Sequence, residues 1–227
     1  MVRKMPILFV DPLDLWLMLL GASLIVAAYG IYVNAIRYRV HHNPQGVSEA
    51  LKEAVAPEIV QINKGIGLYF TFVGIYALVS GLWGGFTWPL PGSNNIVLIQ
   101  PWAVFGVASL IIGLALWSGI HPRYIAIPLA PLGIPVIVYS FAIWIFRMTR
   151  TPEISGLMYF LIGLSVALAP AILSRSGHSR IIGWVAIALL AVAAFIALYI
   201  GINAAFGHIA GWRAWTPWYG AVNVTAG

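Results

Sequence analysis

Residues 65–86 read GIGLYFTFVGIYALVSGLWGGF. No charged residue interrupts the run, and it reaches the ~20 apolar residues that a helix needs to cross a hydrocarbon core of about 30 Å. Five other runs share its texture: Leu15–Ile36, Ile99–Ile120, Tyr124–Phe146, Ile154–Leu173 and Ile181–Phe206. Continuous apolar text of this length predicts membrane-crossing helices. The fold expected is all-α, a polytopic transmembrane helical bundle of about six membrane-spanning helices, forming one integral membrane domain over 1–227.

Composition agrees. The chain is 61% hydrophobic and 8% charged, with a mean hydropathy of +0.93, whereas soluble domains carry about 25% charged residues. So few charges cannot furnish a water-facing surface, and lipid has to serve as solvent. The absence of cysteine excludes disulfides, thiolate metal sites and cysteine nucleophiles. The formal charge of +6 sits at segment ends, where it reads as orientation signal and lipid head-group contact rather than as a nucleic-acid surface. Arg3 and Lys4 are followed by Pro6, Asp11, Pro12 and Asp14 and then by a full-length apolar run, which reads as a retained first helix rather than a cleaved leader. Asp11 or Asp14 is expected to cap that helix, with Pro12 in its opening turn.

Prolines punctuate the spans. Pro128, Pro131 and Pro135 predict a kinked or partly unwound fourth span, and Pro170 a bend near the end of the fifth. The long polar connector, residues 37–64, holds VSEALKEAVAP. Ser48 there can cap a short interfacial helix that Pro57 is expected to stop. Arg37, Arg39, Lys52 and Lys64 lie in this connector and no Lys or Arg lies in the next. The contrast places the odd-numbered connectors in the cytoplasm and both termini outside. The aromatic-rich tail, residues 207–227, with its Asn223-Val224-Thr225 sequon, then falls on the outer side.

The central part of each run lacks Asp, Glu, Lys, Arg and His. Proton-coupled carriers and voltage sensors need an ionisable group at membrane depth, and a retinal Schiff base needs a buried lysine. A carrier of neutral solutes could still use Asn34, Tyr76, Ser80, Tyr139 or Asn203. All five histidines lie at span ends or in connectors. His41, His42, His121 and His178 share the expected cytoplasmic face and are weak metal or haem candidates, because their spacing matches no metal motif. There is no G-x-S-x-G, H-E-x-x-H or P-loop, and Ser174, Ser176, His178 and Ser179 in LSRSGHSR form no recognisable catalytic set. No catalytic residue, and no enzyme, is read from the sequence.

Small residues recur along the spans: Ala77, Gly81 and Gly85; Ser109 and Gly113; Gly163, Ala167 and Ala171; Ala193, Ala197, Gly201 and Ala205. Such stripes let helix backbones approach closely in lipid. Trp83, Trp88, Trp102, Trp144, Trp212, Trp215, Trp218 and Tyr219 fall on the expected outer side as an aromatic belt. The connector FTWPLPGSNN, residues 86–95, is uncharged but carries aromatic and apolar side chains. Its Phe86, Trp88, Pro89, Pro91 and Asn94, with Trp212, Trp215 and Trp218, are the candidate ligand or partner contacts.

The stretch FTWPLPGSNNIVLIQPW, with the preceding YALVSGLWGGF and the opening FVDPLDLWLM, resembles a mostly archaeal family of polytopic membrane proteins, the domain-of-unknown-function family 981. Asn94 stands where the family has tyrosine, and Gln100-Pro101 where it has an Asp-Pro pair. The resemblance implies an integral membrane protein of several helices and carries no activity with it.

The function expected from these features is a non-catalytic structural or accessory subunit of a larger membrane complex, for which a respiratory or other energy-converting assembly is the natural host. The alternative is a permease or channel for a small neutral or apolar solute, with its site where the triple-proline segment faces FTWPLPGSNN. A third reading is a redox or metal subunit using the interfacial histidines. No cofactor is predicted by the leading reading, and haem or metal only by the third. The expected partners are membrane lipids and other membrane subunits or a second copy of the chain, not nucleic acid.

Overall fold

The computed structural model describes residues 12–37, 49–174 and 178–211, with side chains from residue 57 onward in the middle segment. These residues are helical, with no strand among them, and build an all-α bundle. Helix α1, Leu13–Ile31, runs into a π-helical turn, Tyr32–Arg37. Helix α2, Glu49–Thr87, has 39 residues and α3, Asn94–Trp117, has 24. The short α4, Ala126–Leu129, and α5, Gly133–Ile145, are followed by α6, Pro152–Ala167, the short α7, Ala169–Ile172, and α8, Ser179–Gly211. Five stretches are long and apolar enough to cross a membrane: Leu13–Arg37, Pro57–Thr87, Asn94–Trp117, Ala126–Ile145 and Ser179–Gly211. Large apolar side chains such as Phe72, Val79, Ile127 and Phe195 point outward all around the bundle, as they do when lipid rather than water surrounds a helix.

The fifth expected span, Ile154–Leu173, departs from this pattern. It is a 16-residue helix, α6, broken at Leu168 and followed by the four-residue α7. Pro170 supplies no N–H for the turn before it, so α-helical bonding is interrupted at Leu168 and resumes in α7. The triple-proline segment is unwound as expected. Its path is a 3₁₀ turn at Pro122–Tyr124, α4, a second 3₁₀ turn at Ala130–Leu132, and then α5. Pro57, in contrast, does not stop a helix. It lies inside α2. Its position is exposed, so the backbone carbonyl that it leaves without a donor is not confined in the apolar core. Asp14 is not the cap of α1: the N-cap position is Pro12, with no side-chain cap bond.

Backbone proximity sets the packing. Gly67, Gly74 and Gly81 recur every seven positions along α2, and Gly106 and Gly113 match them along antiparallel α3. A methyl group on Gly106 would lie 2.5 Å from the backbone nitrogen of Leu78, and one on Gly113 would lie 2.5 Å from that of Thr71. One on Gly67 would lie 2.6 Å from the backbone nitrogen of Trp117. Neither backbone can yield to a side chain, so only glycine lets the two helices touch. Ala77 and Ser109 are buried in the same seam.

The pair α1 and α8 meets over Gly21, Ala194 and Gly201, with Ala193 and Ala197 buried beside them. The pair α5 and α6 meets over Gly133, Gly163 and Ala167. Gly85 takes no part, since a methyl group there would meet nothing within 4 Å. At one end of the bundle Asn34 and Asn63 exchange carboxamide hydrogen bonds, both 2.9 Å, and tie the π-turn to α2.

Gly106→Ala should lower stability by about 1–3 kcal/mol. Gly85→Ala should leave it unchanged or raise it slightly, because alanine is the better helix former. Reversible unfolding in mixed micelles, followed by circular dichroism, measures the pair.

Candidate functional site

Asn95 organises the turn after α2. Its side chain is 1% exposed. The carboxamide oxygen accepts the Leu90 N–H at 3.1 Å, and the carboxamide nitrogen donates to the Gly84 carbonyl at 3.2 Å. The turn is thereby folded back on the end of α2. Trp88 (φ +53°) and Gly92 (φ +55°) make the two reversals in the left-handed region; glycine holds that conformation freely, and tryptophan only where its surroundings enforce it. Leu90, 4% exposed, plugs into the bundle beside Trp16 and Trp102.

Trp102 is buried rather than interfacial. Its ring stacks on Trp16 at 5.2 Å and on Phe105 at 5.0 Å, and its indole N–H donates to Ser80 at 3.0 Å. These three rings form one wall of a chamber of about 750 Å³. The facing wall comes from Leu132 and Val136 of the triple-proline segment and from Met158, Tyr159 and Ile162 of α6. The Tyr159 hydroxyl is spent on the Val97 carbonyl, 3.1 Å away, so that wall is largely apolar.

The mouth is polar. It is bounded by Pro91, Ser93 and Asn94 of the α2–α3 turn, by Asp14 at the start of α1, by His208 near the end of α8, and by residues 147–151 between α5 and α6. Asp14 and His208 meet at 2.8 Å. A carboxylate only accepts, so His208 Nδ1 donates. Arg147 pairs with Glu153. The Glu153 carboxyl is held below the usual carboxylate range by its own backbone N–H and then by the Arg147 guanidinium. Arg147 (φ +52°) and Thr149 (φ +72°) are both left-handed without being glycine. A loop that keeps two such residues is held by its contacts, among them Thr149 Oγ1 with Ser155 Oγ at 3.1 Å.

A second, smaller cavity of about 170 Å³ lies deeper, toward Pro122 and Ile125. Phe105, Ala108, Ile162 and Val166 line both spaces. The two are therefore neighbours that share this apolar neck. The hydroxyls of Ser23 and Ser165 in the deep wall are already bonded to the carbonyls of Leu19 and Leu161.

The candidate residues from sequence divide accordingly. Pro91 and Asn94 line the chamber, whereas Phe86, 86% exposed, and Trp88, 50% exposed, point away from the bundle. Pro89 is half-buried in the turn. Trp212, Trp215 and Trp218, like His41 and His42, lie outside the described residues. His121 Nδ1 accepts the Arg123 N–H at 3.3 Å and caps a 3₁₀ turn, and His178 is exposed. Among the described residues no group of three His, Asp or Glu is placed to hold a metal ion. Of the polar residues considered for a neutral solute, Asn34 borders the deep cavity, while Tyr76, Ser80, Tyr139 and Asn203 border neither. Exposed Trp117 and Trp184 extend the aromatic belt to the opposite end of the bundle. Asn95, the Asp14–His208 pair and the 147–151 loop were not singled out from sequence.

A helical bundle with five membrane-length apolar stretches and an amphiphilic chamber at one end defines the class: an α-helical, multi-pass membrane architecture. A family model described as protein of unknown function (DUF981) matches residues 5–211, and the chain belongs to that family. No curated protein and no solved structure matches the chain.

Asn95→Leu should strand the buried Leu90 N–H and cost about 1–3 kcal/mol. Gly84 keeps a donor in the Trp88 N–H, so the loss comes from one group. Asn94→Ala should stay within about 0.5 kcal/mol. Thermal unfolding of both variants, with limited proteolysis of the turn, distinguishes them.

Proposed function

We propose that the chain is a multi-pass membrane protein of permease type, which admits a small, largely apolar solute through the chamber between α1, α3, α5, α6 and α8. The observation that carries the reading is the pair of neighbouring cavities that share the neck of Phe105, Ala108, Ile162 and Val166. A space of about 750 Å³ lies within the range of small-molecule sites, which are mostly apolar with a few polar groups at fixed places. Broken helices at membrane depth are tolerated where they border cavities. The unwound segment supplies Leu132 and Val136 to the chamber and Leu129 to the deep cavity. With the odd-numbered connectors in the cytoplasm, the mouth opens on the extracytoplasmic side.

The accessory-subunit reading drew on the small-residue stripes. Much of those on α2, α3, α6 and α8, Gly85 excepted, is taken up by contacts within the chain, which lessens their support for an external partner.

Purified protein in liposomes should accelerate swelling in an iso-osmotic gradient of at least one small, largely apolar uncharged solute among short-chain amides and diols, and should do so less or not at all for glycerol and urea. Ala108→Trp, which fills the neck, should return the rate to that of protein-free liposomes. The chain contains no cysteine, so Val136→Cys at the chamber and fully buried Ile143→Cys away from it provide an independent check. A water-soluble thiol reagent should label the first and spare the second. Absence of accelerated swelling, with stoichiometric recovery of other membrane proteins from gentle detergent, would return the accessory subunit to first place.

A further inference from the structure

The two ends of the internal space differ in chemistry, and the difference defines the shape of an occupant. Four ionisable side chains line the mouth: Asp14, His208, Arg147 and Arg150. Asp14 is engaged by His208, and Arg147 by Glu153. Arg150 is exposed and pairs with no carboxylate among the described residues. The indole N–H of Trp16, a residue 2% exposed in the chamber wall, also lacks an acceptor there. The groups left over at this end are thus two donors, the permanently cationic Arg150 guanidinium and the Trp16 N–H, and one acceptor, the buried second oxygen of Asp14, whose partner oxygen faces His208.

Inward, the wall turns apolar at Leu20 and Phe105 and stays so through the neck; beyond it Ser23 and Ser165 are bonded to the carbonyls of Leu19 and Leu161, and Asn34 to Gly30 and Asn63. A dry apolar cavity of about 150 Å³ accepts a molecule of benzene size and excludes water. The second space, at about 170 Å³, is of that size. A neutral polar solute would lose hydration there with nothing in return. An apolar chain loses none, and its burial removes hydrocarbon from water.

Building on the permease reading, we propose that the chamber binds a single-chain amphiphile with an anionic head. The head oxygens meet Arg150 at the mouth, and the apolar chain runs past Phe105 and Ala108 toward the deep cavity. A carboxylate or a phosphate monoester would satisfy the same donors, whether the molecule comes from the surrounding lipid or from solution.

The test uses the full chain in an uncharged detergent and titrates 11-(dansylamino)undecanoic acid and its methyl ester by fluorescence enhancement, with dodecyl phosphate as competitor. Loading the detergent with phosphatidylglycerol tests whether a two-chain lipid displaces the probe. The acid should bind at least about tenfold more tightly than the ester, the difference expected of one charge-assisted contact. Arg150→Ala should erase that preference while the affinity for the ester is kept, which separates a lost head contact from a lost fold. Ala108→Trp should weaken both probes, and Val166→Phe, a smaller change at the same neck, should do so to a lesser extent. Dodecyl phosphate should displace the acid, and phosphatidylglycerol should not.

Equal affinity for acid and ester, or an acid preference that survives Arg150→Ala, would overturn the anionic head. Displacement by phosphatidylglycerol alone would replace the single-chain ligand by membrane lipid. Loss of solute-driven swelling with these binding results intact would instead remove the permease reading and leave a binding protein.

Discussion

The contact between α2 and α3 is the constraint on which the rest of the molecule depends. In lipid two apolar helices gain nothing from leaving solvent, and only dispersion at close range holds them together. Gly67, Gly74 and Gly81 on one helix, with Gly106 and Gly113 on the other, bring the backbones to a distance that no side chain permits. The contact fixes the rotation of α3 about its axis. Phe105 and Ala108 then line the chamber, while Trp102 reaches from Ser80 of α2 to the ring of Trp16 on α1. The turn joining the pair is fixed as well, because Asn95 at the start of α3 reaches back to Gly84 near the end of α2.

The chamber follows from the way the remaining helices meet this ridge. Gly21, Ala194 and Gly201 draw α1 to α8, and Gly133, Gly163 and Ala167 draw α5 to α6. Each pair is tight within itself. Between the pairs stand aromatic and long aliphatic side chains that cannot fill the space to the density of a protein interior. The prolines act in the same region. Unwinding at Ala130–Leu132 and the break at Leu168 shorten the helices bordering the cavities and leave irregular backbone where an internal space tolerates it.

Charge is distributed to match. The ionisable groups that border the internal space gather at one end, where Asp14, His208, Arg147 and Arg150 surround the mouth. The interior is left to hydrocarbon and to hydroxyls already bonded to their own helices. Such a gradient suits an occupant that is polar at one end only.

The all-α fold, the long apolar helices and the partial unwinding of the triple-proline segment, at Pro131, were legible in the sequence, because apolar run length and the missing N–H of proline act locally. Glycine and alanine at helical spacing announced close packing, but not which seam each would join: Gly81 lies between α2 and α3, and Gly85, one turn on, meets nothing. The same limit separates Asn94 from Asn95. Adjacent residues in FTWPLPGSNN have identical chemistry, and only the direction of the turn buries one and leaves the other at the mouth. The Asp14–His208 pair, the stack of Trp16 on Trp102, and the chamber itself join positions far apart in the chain. Helix rotation and interhelical distance decide them, and both are properties of the packed bundle rather than of any single span.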